Sequence, residues 1–337
     1  MNEVHFKKIA IVGAGAIGGW MGVHLARAHK DADAPLSVLA RGETLAALQK
    51  NGLQLHQEGA LHTVPVTASN DAAALGVQDL VVISVKAPAL ASVAQQIGPL
   101  LGPDTVVLTA MNGVPWWFLH GFGGPVQGQS LRSVDPQGAI ARAIPARHII
   151  GGVVHASCSV DAPGVIRHHF GDGLIVGEPS GQASPRVQAL HRLLQQAGFN
   201  ATLSPQIQKD IWYKLWGNMT VNPVSAITGA TTDRILDDDL VREFISSVMR
   251  EAKAIGERIG IPIAQAPEDR HAVTRKLGAF KTSMLQDVQA GRPVELDALV
   301  SAVRELGTLA GVATPFTDAL LGLSRLHART LGLYPPQ

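Results

Sequence analysis

A single cysteine, Cys158, in a chain of 337 residues leaves no partner for an intrachain disulfide. The sequence therefore does not call for an oxidising compartment, and Cys158 reads as a small buried hydrophobe. Charge is also sparse: 16% of residues are charged and the net charge is +1. That balance gives no sign of a polyanion-binding surface or of a strongly acidic partner, so nucleic acid is not expected as a ligand. A hydrophobic content of 46% excludes a disordered chain. No stretch offers the roughly 20 uninterrupted apolar residues that cross a bilayer. The opening MNEVHFKKIAIVGAGAIGGW places two lysines before an apolar run, as a signal peptide would, but glycines break the run and a strand followed by a turn explains it better. The expectation is a soluble, cytoplasmic protein. Internal repeats and low-complexity tracts are lacking, and the terminal LYPPQ reads as a short tail.

What is present begins with length. A chain of 337 residues is larger than one hydrophobic core usually serves, so two domains are expected. The first part alternates short β-rich runs with helix-like segments, the pattern of a parallel sheet covered by helices. Ile9–Val12, Leu36–Ala40, Leu80–Val85 and Val106–Thr109 are the clearest strands. A glycine- and proline-marked excursion runs from about Gly113 to Pro145 and carries Trp116 and Trp117. HIIGGVVHASCSV, GVIRHHF and GLIVGEP read as further strands joined by turns, and Ser184–Gly198 as a helix. At Ser204–Pro205 a good cap is followed by proline at the first helical position, and most of the chain beyond it has helical periodicity. The fold class expected is α/β: a Rossmann-type dinucleotide-binding domain over 1–204, followed by an all-helical domain over 205–337.

IAIVGAGAIGG sets Gly13, Gly15 and Gly18, with Ala14, Ala16 and Ile17 between them, after a strand and at the mouth of a helix. Gly13 permits a tight turn, Gly15 lets the backbone approach a pyrophosphate, and Gly18 allows helix to pack on strand. The end of the second strand lacks the acid that usually bonds a ribose 2′-hydroxyl and has Ala40–Arg41 instead. Arg41 either pairs with a 2′-phosphate, which selects NADPH/NADP+, or is a solvated arginine at a strand end. Lys86 and Asn112 follow the third and fourth strands, where ligands of open α/β sheets sit. Each alone could satisfy a loop; together with the glycine turn they point to the nicotinamide and substrate side of a site.

KDIWYKLWGNMTVNPVS is unusual for a surface helix. From Ile211 to Thr228, Lys214 is the one ionisable side chain besides Tyr213. At about 100° per residue, Lys214, Asn218, Asn222 and Ser225 fall in an arc of about 80°, away from Trp212, Leu215, Trp216 and Met219. A lysine so poorly solvated has its pKa drawn toward the range useful for proton transfer. The alternative is a lysine snorkelling at a domain edge. The asparagines either bridge helices or form a donor-rich strip for a polar substrate. The thirteen histidines, including His168–His169, show no metal-ligand motif, so no metal is expected.

The glycine loop, VKA, MNGV, WYKLWGNMTVNPVSA and SMLQDVQAGRPVELD, in that order, resemble the ketopantoate reductase (2-dehydropantoate 2-reductase) family over residues 8 to 311. The most specific part is Lys-x3-Asn-x3-Asn, followed by Ser-Met-x2-Asp and a later Glu. The resemblance implies that Lys214 protonates the ketone oxygen as hydride arrives from NADPH, and that Glu295 helps hold the lysine and the substrate hydroxyl. It further implies that Asn218, Asn222 and Ser283 bind polar groups of the substrate, that Lys86 and Asn112 contact the nicotinamide end and the substrate, and that the protein is a homodimer acting in pantothenate, hence coenzyme A, synthesis. Two departures bear on the substrate: ELDALVSA puts Ala298, Val300 and Ser301 after the glutamate, and the NGVPWWFLHGFGG extension is long. Trp116 and Trp117 either cover a larger substrate or anchor the loop. Alternatives are a paralogue acting on another 2-oxo or 2-hydroxy acid and a non-catalytic NADP(H) sensor.

Overall fold

Apolar runs rich in β-branched residues and ended by turns favour strands. In the computed structural model, which describes residues 4–29, 35–121 and 123–336, they are β1 (Ile9–Val12), β2 (Leu36–Leu39), β3 (Leu53–Gln57), β4 (Ala60–Val64), β5 (Val66–Ser69), β6 (Gln78–Ile83), β7 (Leu101–Thr109), β8 (Ile149–Ala162), β9 (Val165–Gly177) and β10 (Asn200–Leu203). They form one mixed sheet in the order β4-β3-β9-β8-β7-β6-β1-β2-β5, with β10 beside β9. Pairing is parallel from β5 through β2, β1, β6 and β7 to β8, and the β8–β9 and β3–β4 hairpins are antiparallel. Strand β1 is buried along its whole length, as a central strand of a parallel sheet must be. The helix Ala16–Ala28 follows it and buries Trp20, Met21, Val23 and Leu25.

Three sequence expectations change here. GVIRHHF and GLIVGEP lie in one continuous strand, β9, because register irregularities opposite His155–Ser157 and Ser157–Cys158 absorb the polar stretch between them. The helix expected at Ser204–Pro205 starts at Ile207; the Ser204 hydroxyl instead accepts from Gln206 N–H at 3.1 Å within the turn. Cys158, in β8, is half-buried rather than buried, and the burial it has pushes its thiol up to about 12.

By contacts the chain divides into one unit of 1–111 and 139–207 and a second of 112–138 and 208–337. The sequence reading keeps 112–138 with 1–204; the contacts place it with the helices. The reason is what the excursion buries. Trp117 and Phe118 are 0% exposed, and the Phe118 and Trp212 rings lie 6.1 Å apart. Gln208 Nε2 donates to His120 O at 3.2 Å, and the Glu305 carboxylate accepts from Arg132 and Ser133 N–H, both at 2.8 Å. Trp116, 4% exposed, is buried beside Trp117, as loop anchors would be.

The rest of the second unit is helical. Asp239–Ile259 buries Ile245, Val248, Met249, Ala252, Ile255 and Ile259, a stripe at three- and four-residue spacing. Asp238 caps its start and Gly260, at φ 91°, ends it. No helix among the described residues is long and apolar enough to cross a membrane.

Candidate active site

The first unit carries the glycine turn. Gly13 follows β1 at φ 94°, and a Cβ there would lie 2.6 Å from Val85 Cγ1. A Cβ on Gly18 would strike Gly13 O and Ser84 Oγ, so helix and turn close-pack as glycine alone permits. Ser84, which the sequence reading passed over, donates its hydroxyl to Gly13 O at 2.8 Å and fixes the turn. Gly15 differs from both. It is the N-cap of Ala16–Ala28, is exposed, has no side-chain cap, and a Cβ there would meet nothing within 4 Å. Open space before uncapped helix N–H groups, with no acid in the first turn, fits the pyrophosphate of a dinucleotide. Ala14 is buried, while Ala16 and Ile17 are half-buried at the start of that helix. Arg41 follows β2 and is exposed, with Nη1 donating to Ser92 Oγ at 3.3 Å. Lys86 is exposed before the short turn Ala87–Ala89.

The second unit carries the lysine. Lys214 lies on the helix Ile207–Thr228, whose Trp212, Leu215, Trp216 and Met219 are buried. Trp216 Nε1 donates to Met249 O at 2.7 Å, which locks the rotation of the helix. Lys214 Nζ is half-buried and donates to Asn112 Oδ1 at 2.8 Å. Burial lowers its pKa from 10.5 to about 8; Glu295 opposes that shift and the Arg270 guanidinium adds to it. Asn218 is half-buried one turn on, and Asn222 is 6% exposed a turn further. Ser225 leaves the strip, since its hydroxyl donates to Ala230 O at 2.6 Å where the helix ends.

Glu295, 7% exposed, lies two residues before a single π-helical turn, Asp297–Ser301. Val114 N–H donates to Ala298 O at 2.8 Å, and a Cβ on Gly113 (φ 82°) would lie 2.6 Å from Ala298 Cβ. The loop bearing Asn112 is therefore pinned to the turn that follows Glu295, and the small Ala298 is what allows the approach. This gives a packing reason for the departure seen in ELDALVSA. The terminal segment is more than a tail: Val294 N–H donates to Leu333 O at 3.1 Å, and Tyr334 OH donates to Asp297 Oδ1 at 2.6 Å. Burial and Asp297 push the Tyr334 phenol up to about 12.

Ser283 begins the helix Ser283–Gln289 and is exposed; Thr282 caps that helix, accepting from Leu285 N–H at 3.2 Å. Asp287 of the same motif is buried and accepts from Arg292 Nε at 2.9 Å, a structural bracket. The structure thus brings together Asn112, Lys214 and Glu295, aligns Asn218 and Asn222 along the same helix, and sets Ser283 on a separate one. The sequence reading missed Ser84, Arg270 and the π turn; a glycine in mid-helix, Gly217, was the one available signal for Arg270.

The family model described as ketopantoate reductase PanE/ApbA matches residues 9–181, and its C-terminal counterpart matches 206–328. A 2-dehydropantoate 2-reductase from Mesorhizobium japonicum is 47% identical over 97% of this chain and 99% of its own. A crystal structure from Ralstonia solanacearum MolK2, provisionally named a ketopantoate reductase, superposes with a TM-score of 0.94 at 60% identity, over 98% of this chain and 100% of its own. D-mandelate dehydrogenase, solved with NADH and anilino(oxo)acetate, shares the fold with a TM-score of 0.80 at 21% identity, over 97% and 99% of the two chains.

Proposed function

The chain belongs to the ketopantoate reductase family, and we propose that it reduces a 2-oxo acid, 2-dehydropantoate to (R)-pantoate, with Lys214 as general acid and NADPH as reductant. The observation that carries this reading is the lysine itself: half-buried, bonded to Asn112 and drawn to about 8. At neutral pH such a group is still mostly protonated, yet gives up its proton more readily than an exposed lysine.

A nicotinamide cofactor, when bound, supplies the hydride that goes to the carbonyl carbon. As negative charge grows on the carbonyl oxygen, the Lys214 ammonium stabilises it and transfers one proton from Nζ, which leaves a hydroxyl and a neutral amine. Asn112 holds Nζ at 2.8 Å and so sets the direction of that proton. Glu295 opposes the burial that makes the ammonium more acidic. Asn218 and Asn222 offer amides for polar groups of the substrate, with Ser283 as a further donor. Gly15 with the first turn of Ala16–Ala28 would take the pyrophosphate, on a turn that Gly13 and Gly18 let close-pack, while Arg41 would take the 2′-phosphate and Lys86 the nicotinamide side.

The proposal extends to a role in pantothenate synthesis as a cytoplasmic homodimer, in keeping with the dimeric ketopantoate reductase of Staphylococcus aureus. The reading is tested by following oxidation of NADPH with purified protein and a panel of 2-oxo acids, with light scattering for the oligomer. Saturable turnover of 2-dehydropantoate above the other acids supports it. A better acid elsewhere in the panel moves the substrate and keeps the mechanism, while tight NADPH binding without turnover leaves a sensor. Burial of Trp116 and Trp117 removes one argument for a larger substrate.

A further inference from the structure

Arg270 takes no part in the chemistry assigned so far, yet it stands beside it. Its helix, Pro267–Arg275, brings the guanidinium flat against Gly217 of the lysine helix, where a Cβ would meet Nη2, Cζ and Nε, the last at 2.7 Å. Gly217 lies three residues after Lys214 and directly before Asn218, and Tyr213 lies one turn earlier on the same flank. The guanidinium therefore borders the strip of Lys214 and Asn218.

Its surroundings do not neutralise it. Arg270 is half-buried, and its one side-chain hydrogen bond among the described residues runs from Nη1 to Thr274 Oγ1 at 3.1 Å. Its Nε is buried without a partner, and no carboxylate among the described residues pairs with it. Burial lowers its pKa, with Tyr213 opposing. An unpaired buried cation is costly, and a glycine inside a helix adds to that cost. Alanine at 217 would remove the second cost but fill the seat. Glu295 and Arg270 both act on Lys214, with opposite signs.

We propose that Arg270 is a specificity-determining residue that binds the carboxylate of the 2-oxo acid whose carbonyl Lys214 protonates. In such a substrate the carboxylate is bonded directly to the carbonyl carbon, so a cation for the one must sit next to the acid for the other. A guanidinium offers two N–H donors to both carboxylate oxygens; Nε is buried beside Gly217, so the terminal edge of Nη1, which also bonds Thr274, and Nη2 is the one a carboxylate would meet. The binding also offsets the repulsion between Arg270 and Lys214, so the lysine holds its proton better with substrate present.

The inference rests on the reduction proposed above, and its test separates the two. Steady-state kinetics are measured for 2-dehydropantoate and for its primary amide, neutral at the same carbon, with the wild type, Arg270→Gln, Arg270→Lys and Gly217→Ala. Arg270→Gln is expected to raise KM for the acid at least about tenfold while kcat stays within about threefold, and to leave kcat/KM for the amide within about twofold. Arg270→Lys recovers part of the loss. Gly217→Ala, which keeps the charge but displaces it, raises KM for the acid in the same way, so the test survives a poorly folding glutamine variant. Unchanged KM for the acid in the Arg270 variants, or equal losses for acid and amide, overturns the inference while the reductase reading stands. A wild type that turns over no 2-oxo acid overturns both.

Discussion

The glycine turn and the lysine helix reach function by opposite routes. The turn works through what is missing: Gly15 leaves space and the helix start leaves N–H groups uncapped. The lysine helix works through crowding, with Trp212, Trp216 and Met219 packed behind an ammonium that burial has made more acidic. An open cradle tolerates substitution in the fold and fails in binding. A crowded acid gains in the fold and fails in the chemistry, because the cost of burying it goes when the charge goes.

The largest effect should come from the crowded side. Lys214→Ala is expected to lower turnover at least about a hundredfold, with the fold intact by circular dichroism and the cofactor still bound; near-normal turnover would remove the lysine from the mechanism. On the open side, Gly15→Val should weaken NADPH binding by at least about tenfold, read by fluorescence titration, and shift stability by less than about 0.5 kcal/mol. Gly18→Ala, against Gly13 O and Ser84 Oγ, should instead destabilise by about 1–3 kcal/mol in a denaturant titration. If Gly15 and Gly18 behave alike, the contrast drawn between space and packing is wrong. Arg41→Ala should lower the ratio of kcat/KM with NADPH to that with NADH by about tenfold, whereas an unchanged ratio makes Arg41 a solvated strand-end residue.

The smallest effects concern protons. kcat/KM should fall as pH rises through about 8, where Lys214 loses its charge. For stability, the folded pKa of about 8 lies below the ordinary 10.5. Between those values the unfolded chain binds more protons, so this group makes stability rise with pH across that window. Below it the cost of burying the ammonium is fully present. Lys214→Met should therefore gain on the order of 1 kcal/mol at neutral pH, discounted for the partial exposure of the lysine, and lose that advantage as pH climbs past 10.5. A lower Tm for Lys214→Met at neutral pH would show that the ammonium stabilises the fold.

The same contrast explains what could be read from the chain. β1, β2, β6 and β7 announce themselves because apolar runs and the turns that end them are contiguous, and the glycine turn is legible because its constraints act within six residues. β3, β4 and β5 were passed over: their residues alternate with His, Gln and Thr, and the β3–β4 turn uses Glu58 at φ 52° before Gly59 in place of the commoner Asn-Gly. Lys214 was legible from its isolation on one helix. The parts that come from elsewhere were not: Asn112 reaches the lysine from 102 positions away, the π turn leaves no periodic mark, and Arg270 shows only as a glycine in another helix.

The crossing of the chain at 111/112, 138/139 and 207/208 bears on how such proteins can be recombined. A chimera spliced once, near residue 207, would join the lysine of one parent to the Asn112 loop and tryptophan anchors of the other. The helical unit is a two-piece cassette, and exchanging it whole requires 112–138 and 208 onward to travel together. Lineages that drift in one piece must adjust in the other, so the unit inherits as a linked pair although it is written in two places.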